Sequence, residues 1–290
     1  MSASAEPSPQ DRIRGDTRNL GVIGWPVSRS LSPAIHNAAF AELGMPWTYV
    51  GLPVPPDALA DAMAGLRALG FAGANVTMPH KTEAAERCDV LSEDARRLQA
   101  VNTLTVEDNG TLVGDNTDAP GFERFLRLDA QVDPAGMTVL LFGGGGAARA
   151  VALALGRTGA SRITVAVREP ANASGIEALL DGSDTQVDAI AFDQAAGLAR
   201  DVVVNATPVG ASGSGTLPMP GLGPSVVVVD LLYPDVTPLQ DAAERSGARA
   251  FGGLGLLLQQ AGLSFERWTG VDAPMAVMAR AARSALAEGR

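Results

Sequence analysis

Cysteine is nearly absent: Cys88 is the only one in 290 residues. A single thiol closes no internal disulfide and builds no thiolate cluster, which excludes a disulfide-stapled scaffold and points to a reducing compartment. Histidine is almost as scarce; His36 and His80 show no ligand spacing, so no metal is expected. Long apolar runs are missing too. The first 19 residues, Met1–Asn19, are polar with no apolar signal core, and the apolar stretches further on are only strand-sized. Neither export nor a membrane span is expected, and the cytoplasm is the default location. Positive charge is also in deficit: 22 basic against 32 acidic residues leave a net charge of -10, which repels a phosphate backbone, so nucleic acid is not an expected partner.

Within that small basic set, lysine is the rarest residue. Arginine supplies every positive side chain but one, and the exception is Lys81. Arginine cannot give up its proton in a protein, so a lone lysine marks a position where a titratable amine is of use, unless it is a chance survivor.

What is present is ordinary globular material, 46% apolar and 19% charged, with length for one large domain or two of about 150 residues. Residues Met1–Gln10, rich in Ser, Ala and Pro, read as a frayed tail. From Leu20 to about Val113, strand-like runs (Leu20–Gly24, Trp47–Leu52, Gly73–Val76) alternate with helical patterns (Ser32–Leu43, Pro56–Leu69), the rhythm of a mostly parallel sheet covered by helices. Val101–Glu107 and Thr111–Gly114 flank Asn109-Gly110 and predict a hairpin closed by a type I′ turn. Asp115–Gly121 reads as a loop joining two halves. The second half carries strands at Thr138–Phe142, Arg162–Val167, Val187–Phe192, Val202–Ala206 and Val226–Leu231, followed by helical patterns over Leu254–Phe265 and Pro274–Leu286 that could return to cover the first domain.

After Thr138–Phe142 comes Gly143-Gly144-Gly145-Gly146-Ala147-Ala148, and then a helical run to about Thr158. Strand, glycine turn and helix stand in the order of a dinucleotide-binding unit. Gly143 permits the tight turn, Gly145 lets a pyrophosphate approach the backbone, and Ala148 allows close helix packing. The free N–H groups of the helix start then face the anion. At the end of the next strand an acidic residue favours NAD and an arginine accommodates the 2′-phosphate of NADP. This chain has both, Arg168 and Glu169, with no further basic residue until Arg200. The phosphate clamp therefore looks half-built.

In the first half, Gly24 to Pro33 follows a strand and leads into a helix. The hydroxyls of Ser30 and Ser32 could hold a carboxylate, or Ser32 could simply cap the helix before Pro33. Gly73 to Lys81 likewise ends a strand and starts a helix, with Pro79 suited to the first helical position. Lys81 then lies in the first turn, where the helix dipole disfavours a cation and eases proton release.

These pieces together resemble the shikimate dehydrogenase family: Ser30-Leu31-Ser32-Pro33 with His36-Asn37, Asn75 to Lys81, Ala100-Val101-Asn102-Thr103, Gly114 to Asp118, Gly143 to Ala150, Asn205 to Gly210, Tyr233-Pro234 with Thr237-Pro238-Leu239, and Gly253 to Gln260. The resemblance spans residues 20–270 in family order. It implies an α/β enzyme of two domains, a mostly parallel substrate domain over 1–118 completed by helices from 253–290, and a Rossmann NADP-binding domain over 119–252, with the active site in the cleft between them. It implies the reversible reduction of 3-dehydroshikimate to shikimate on the way to chorismate and the aromatic amino acids. Carried over, Lys81 and Asp118 are the catalytic pair, and Ser30, Ser32, Thr77, Asn102, Tyr233 and Gln260 contact substrate. Gly143, Gly144, Gly145, Gly146, Ala147, Ala148, Arg168, Thr207 and Gly253 hold the cofactor, which is NADP with NAD as the alternative.

The chain departs from the family at Arg29 (often His), Gln99 (usually Gly), Leu256 (Met) and Val167-Arg168-Glu169 (usually Asn-Arg-Thr). A quinate/shikimate dehydrogenase using NAD, or an aminoshikimate-type relative, is the nearest alternative. A nonenzymatic nucleotide-sensing Rossmann protein is the alternative of a different class, and it would need neither Lys81 nor Asp118. The expected assembly is a monomer or homodimer.

Overall fold

Strand-length runs of β-branched and aliphatic residues become two separate six-stranded sheets in the computed structural model, which describes residues 13–211 and 214–289. The expected tail Met1–Gln10 lies outside the described residues. The chain divides into two compact units, one formed by the chain up to Thr117 together with Ala261 onward, the other by Asp118–Gln260. No helix among the described residues is long and apolar enough to cross a membrane.

The first unit holds strands β1 (Arg18–Gly24), β2 (Trp47–Pro53), β3 (Gly73–Val76), β4 (Val90–Leu91), β5 (Thr103–Val106) and β6 (Leu112–Asp115), ordered β2-β1-β3-β5-β6-β4. The β2-β1-β3 part is parallel, and its connections carry helices α1 (Ser32–Glu42) and α2 (Leu59–Ala68), as parallel neighbours require. α3 (Lys81–Arg87) and α4 (Glu93–Leu98) follow, and α10 (Met275–Ala287) packs against α1. Ile23, Leu59, Leu66, Val76, Val101 and Leu104 form one apolar core. A second, aromatic layer gathers His36, Phe40, Tyr49, Phe265 and Trp268.

Local expectations needed four corrections. The β5–β6 hairpin is antiparallel, but its turn is type I rather than type I′: Gly110 N donates to Glu107 O at 2.8 Å, only Gly110 takes a positive φ (83°), and the Asn109 side chain accepts from Thr111 N. One extra residue in the loop lets Gly110 alone absorb the left-handed conformation. Pro79 is not the first helical residue; it follows a cis Met78–Pro79 bond in the turn where His80 N donates to Thr77 O, and Lys81 opens α3. Ser32 does not cap α1, because it is already the first helical residue and Leu31 stands before it. Asp115–Gly121 is not a loop, since β6 runs through Asp115 and α5 starts at Asp118 (Asp118–Phe125). Ala119, Phe122 and Phe125 recur at three-residue spacing and bury one face of α5.

The second unit is a six-stranded parallel sheet of β7 (Thr138–Phe142), β8 (Arg162–Val167), β9 (Gln186–Ala191), β10 (Val202–Asn205), β11 (Val227–Asp230) and β12 (Arg249–Gly252), ordered β12-β11-β10-β7-β8-β9. That is doubly-wound order, with the strand order switching to the other side of β7 at β10, the point where ligands bind such sheets. β12 was not expected from the sequence; four residues after a glycine give no periodic signal, and pairing with β11 makes it a strand. Helices α6 (Gly146–Arg157), α7 (Ser174–Leu179) and α8 (Pro238–Arg245) cover the sheet. α9 (Leu254–Thr269) lends its first half to this unit and its second half to the other.

Candidate functional site

In the first unit, β1 and β3 are parallel neighbours, so the loops after them leave from one sheet edge. Trp25 N donates to Met78 O and Thr77 N to Ile23 O, which ties the loop bearing Ser30 and Ser32 to the loop bearing Thr77 and Lys81. His80 is fully buried, and its Nε2 donates to Val54 O at 2.7 Å, fixing the residue before α3. Lys81 is half-buried, and its carbonyl accepts from Val101 N, which brings Asn102 to the same edge.

Behind this edge lies a buried polar chain. Ser30 Oγ accepts from Ser32 N, and the Ser32 hydroxyl shares a hydrogen bond with the Tyr49 phenol. Burial pushes the Tyr49 phenol up from its ordinary value, so it stays protonated and donates to Asn75 Oδ1 at 2.7 Å. Asn75 Nδ2 then donates to Asn102 O, Thr103 Oγ1 and Ser264 Oγ. Asn102 Oδ1 accepts from Thr117 N and Thr103 Oγ1, while its Nδ2 donates to Thr117 Oγ1. Ser30, Ser32, Thr77, Lys81 and Asn102 thus share one frame. Sequence reading missed Tyr49, Asn75 and Ser264 as its supports, because their partners are far away along the chain.

Asp118, Tyr233 and Gln260 belong to the second unit. Asp118 is half-buried as the first residue of α5, Tyr233 is exposed, and Gln260 Nε2 donates to Leu257 O. Cys88 is half-buried, and burial pushes its thiol up to about 11.

The glycine run sits at the reversal point of the second sheet. Gly143 follows β7 with φ 114°, a conformation that other residues rarely adopt, and a Cβ there would stand 3.1 Å from Ala206 O. Gly145 precedes α6 and Gly146 opens it; a Cβ on either meets nothing within 4 Å. Open space over the unpaired N–H groups of a helix start is the cradle a dinucleotide pyrophosphate needs, so these residues fit such a cofactor. Next to it, buried Asn205 holds the loop after β10: its Oδ1 accepts from Thr207 N and Oγ1, and its Nδ2 donates to Val209 O and Asp230 Oδ1. Asp230 Oδ2 accepts from Thr237 Oγ1. Gly253 packs so closely on β11's exit that a Cβ would lie 2.0 Å from Leu231 O, which only glycine avoids. Arg168 and Glu169 are both exposed at the end of β8.

Comparison with known proteins agrees with this geometry. The family model described as the shikimate dehydrogenase substrate binding domain matches residues 22–104, and that of the shikimate 5′-dehydrogenase C-terminal domain matches residues 253–283. A shikimate dehydrogenase (NADP(+)) of Rubrobacter xylanophilus is 46% identical over 277 residues, 93% of this chain and 97% of the relative. A crystal structure of shikimate 5-dehydrogenase from Listeria monocytogenes, in complex with shikimate and NAD, superposes with a TM-score of 0.86 at 34% identity, covering 92% of this chain and 96% of that one. The shikimate 5-dehydrogenase of Thermus thermophilus, in complex with NADP(H) and shikimate, gives 0.82 at 35% identity, covering 92% and 99%. Identity at this level along nearly the whole chain, over two units of matching architecture, leaves one conclusion: the chain belongs to the shikimate dehydrogenase family.

Proposed function

We propose that the chain catalyses the reversible NADP-dependent interconversion of shikimate and 3-dehydroshikimate, and so serves the route to chorismate and the aromatic amino acids. The observation that carries this reading is the relative of Rubrobacter xylanophilus, 46% identical over 93% of the chain. The bound cofactor would supply a hydride acceptor or donor at its nicotinamide. The protein must hold the reacting carbon against it and exchange one proton with the substrate oxygen.

In this reading Lys81 takes the hydroxyl proton as shikimate is oxidised and returns it to the carbonyl oxygen in the reverse direction. Asp118 orients the amine and balances its charge. Ser30 and Ser32 hold the substrate carboxylate, while Thr77, Asn102, Tyr233 and Gln260 hold its hydroxyls. Gly143 to Ala148 receive the pyrophosphate, Arg168 the 2′-phosphate, Thr207 the nucleotide side of the loop after β10, and Gly253 leaves room for the nicotinamide. What supports Ser30, Ser32, Thr77, Lys81 and Asn102 is the hydrogen-bonded frame at the β1–β3 edge; what supports the glycine run is the open helix start. We also place the enzyme in the cytoplasm, as a monomer or homodimer.

The test is turnover of shikimate and of quinate, each with NADP+ and NAD+. Shikimate with NADP+ should give the highest kcat/KM; faster quinate turnover with NAD+ would replace this reading with a quinate dehydrogenase.

A further inference from the structure

Arg149 is a cation that the fold leaves unsatisfied. Its Nε is buried with no hydrogen-bond partner, and among the described residues no carboxylate pairs with its guanidinium. Elsewhere in the same unit Arg162 binds Asp188 and Gln186 and Arg249 donates to Ala130 O, while Arg200, whose Nε is likewise buried without a partner, still donates through its Nη groups to Ala199 O and Thr164 Oγ1. An arginine carries five donors and stays charged, so a buried N–H left without an acceptor is a standing penalty that an anion would relieve.

Its location says which anion. Arg149 is the fourth residue of α6, in the first turn of the helix that follows the glycine run. Nη1 lies 3.7 Å from the point a Cβ on Gly175 would occupy, so the missing side chain at the second residue of α7 leaves space for the guanidinium. The link between β8 and α7 begins with Arg168 and Glu169, continues as a 3₁₀ turn over Pro170–Ala173, and backs onto the glycine run, where a Cβ on Gly144 would stand 2.7 Å from Asn172 O. The guanidinium therefore reaches from the glycine-run helix to the far end of the segment that reads the adenosine ribose, on the α7 side rather than over the open start of α6.

We infer that Arg149 is a second cation for the adenosine 2′-phosphate, acting with Arg168 to set the preference for NADP over NAD. The inference rests on the cofactor reading above. It also explains how the exposed carboxylate of Glu169 can stand beside a phosphate site: one guanidinium offsets its repulsion while the other pairs with the phosphate oxygens. Reading downstream from Arg168, the sequence shows no further basic residue until Arg200. The second cation lies upstream, in the glycine-run helix itself.

The experiment is a calorimetric titration of wild type and Arg149→Gln with NADP+, NAD+, 2′,5′-ADP and 5′-AMP. Affinity for NADP+ and 2′,5′-ADP should fall about tenfold or more in the variant, the scale of one lost charge-assisted contact, while NAD+ and 5′-AMP stay within about twofold. Unchanged NADP+ affinity, or an equal loss for all four ligands, would overturn the inference. Should the variant fail to fold, arginine modification of the wild type by p-hydroxyphenylglyoxal, read by peptide mass, decides instead: 2′,5′-ADP but not 5′-AMP should protect Arg149, and equal rates overturn it. Wild-type protein that binds none of the four overturns the cofactor reading and Arg149's role with it, a result distinct from a failure of the Arg149 variant alone.

Discussion

Gly143 to Ala148 shape a ligand surface with six consecutive residues, whereas Ser32, Tyr49, Asn75, Asn102, Thr117 and Ser264 shape theirs only after the chain has returned through α9. The first surface is backbone: a positive φ at Gly143 and open space at Gly145 and Gly146. The second is side chain, held by bonds such as Asn75 to Ser264, which are 189 residues apart. A backbone surface tolerates change in its surroundings as long as glycines stay glycines. A side-chain surface fails when any distant member of its network is removed, because a buried donor or acceptor is then left unpaired.

The largest expected effect removes chemistry and leaves both surfaces standing. Lys81→Ala should cut kcat about 10²–10⁴-fold, the usual range for losing a positioned acid or base, with a smaller change in KM. The NADP+ dissociation constant should stay within about twofold, since Lys81 lies in the first unit. Near wild-type kcat would end its catalytic assignment.

Next comes the network itself. Ser264→Ala takes a partner from Asn75, Thr103 and Thr117 at once. It should lower stability by about 1–3 kcal/mol and raise the KM for shikimate, with NADP+ affinity unchanged. Urea unfolding and paired titrations check this; a variant that lost NADP+ affinity instead would show that the two surfaces are not built independently.

The same contrast explains what was legible in the sequence. The glycine run, its strand and its helix are contiguous, so the Rossmann half could be read directly, as could the first-half motifs around Ser30, Thr77 and Lys81. α5 was missed because Asp115–Gly121 is rich in polar and small residues, and the apolar spacing of Ala119, Phe122 and Phe125 runs past that window. β12 and the roles of Tyr49 and Ser264 depend on sheet pairing and chain return, which local pattern does not encode. Arg149 lies in α6, upstream of β8, so the residues that follow that strand carry no sign of it.

A third expectation probes the aromatic layer of the first unit. His36 is fully buried, stacks on Tyr49 with ring centroids 4.5 Å apart, and has no partner on either nitrogen. Burial pushes its pKa down to about 3 from 6.5. The unfolded chain therefore binds a proton that the folded chain refuses: His36's contribution to stability is full above pH 6.5 and is lost as pH falls below it, at about 1.4 kcal/mol per pH unit down to the folded value. Between pH 7.5 and 5.5 the wild type should lose about 1.4 kcal/mol more than His36→Phe. Parallel pH profiles of the two urea midpoints would sink this account.

The smallest effect concerns the one place where, among the described residues, the first unit needs glycine-like backbone and lacks the residue. Gln99 ends α4 in the left-handed region at φ 51°, with Ala100 N donating to Ala95 O across it, the bonding of a helix stop that favours glycine. The side chain is exposed, so nothing packed is lost by removing it. A side chain in this region costs about 1–2 kcal/mol, while glycine gives back roughly 0.5–1 kcal/mol through the greater freedom of the unfolded chain. Gln99→Gly should therefore raise stability by about 0.5–1 kcal/mol, or roughly 1–3 °C in Tm, with kcat and both substrate constants unchanged. Gln99→Ala keeps the Cβ and should bring no gain. If the two substitutions shift Tm equally, the left-handed turn at this position carries no cost, and the contrast between a backbone-built and a side-chain-built unit loses its support here.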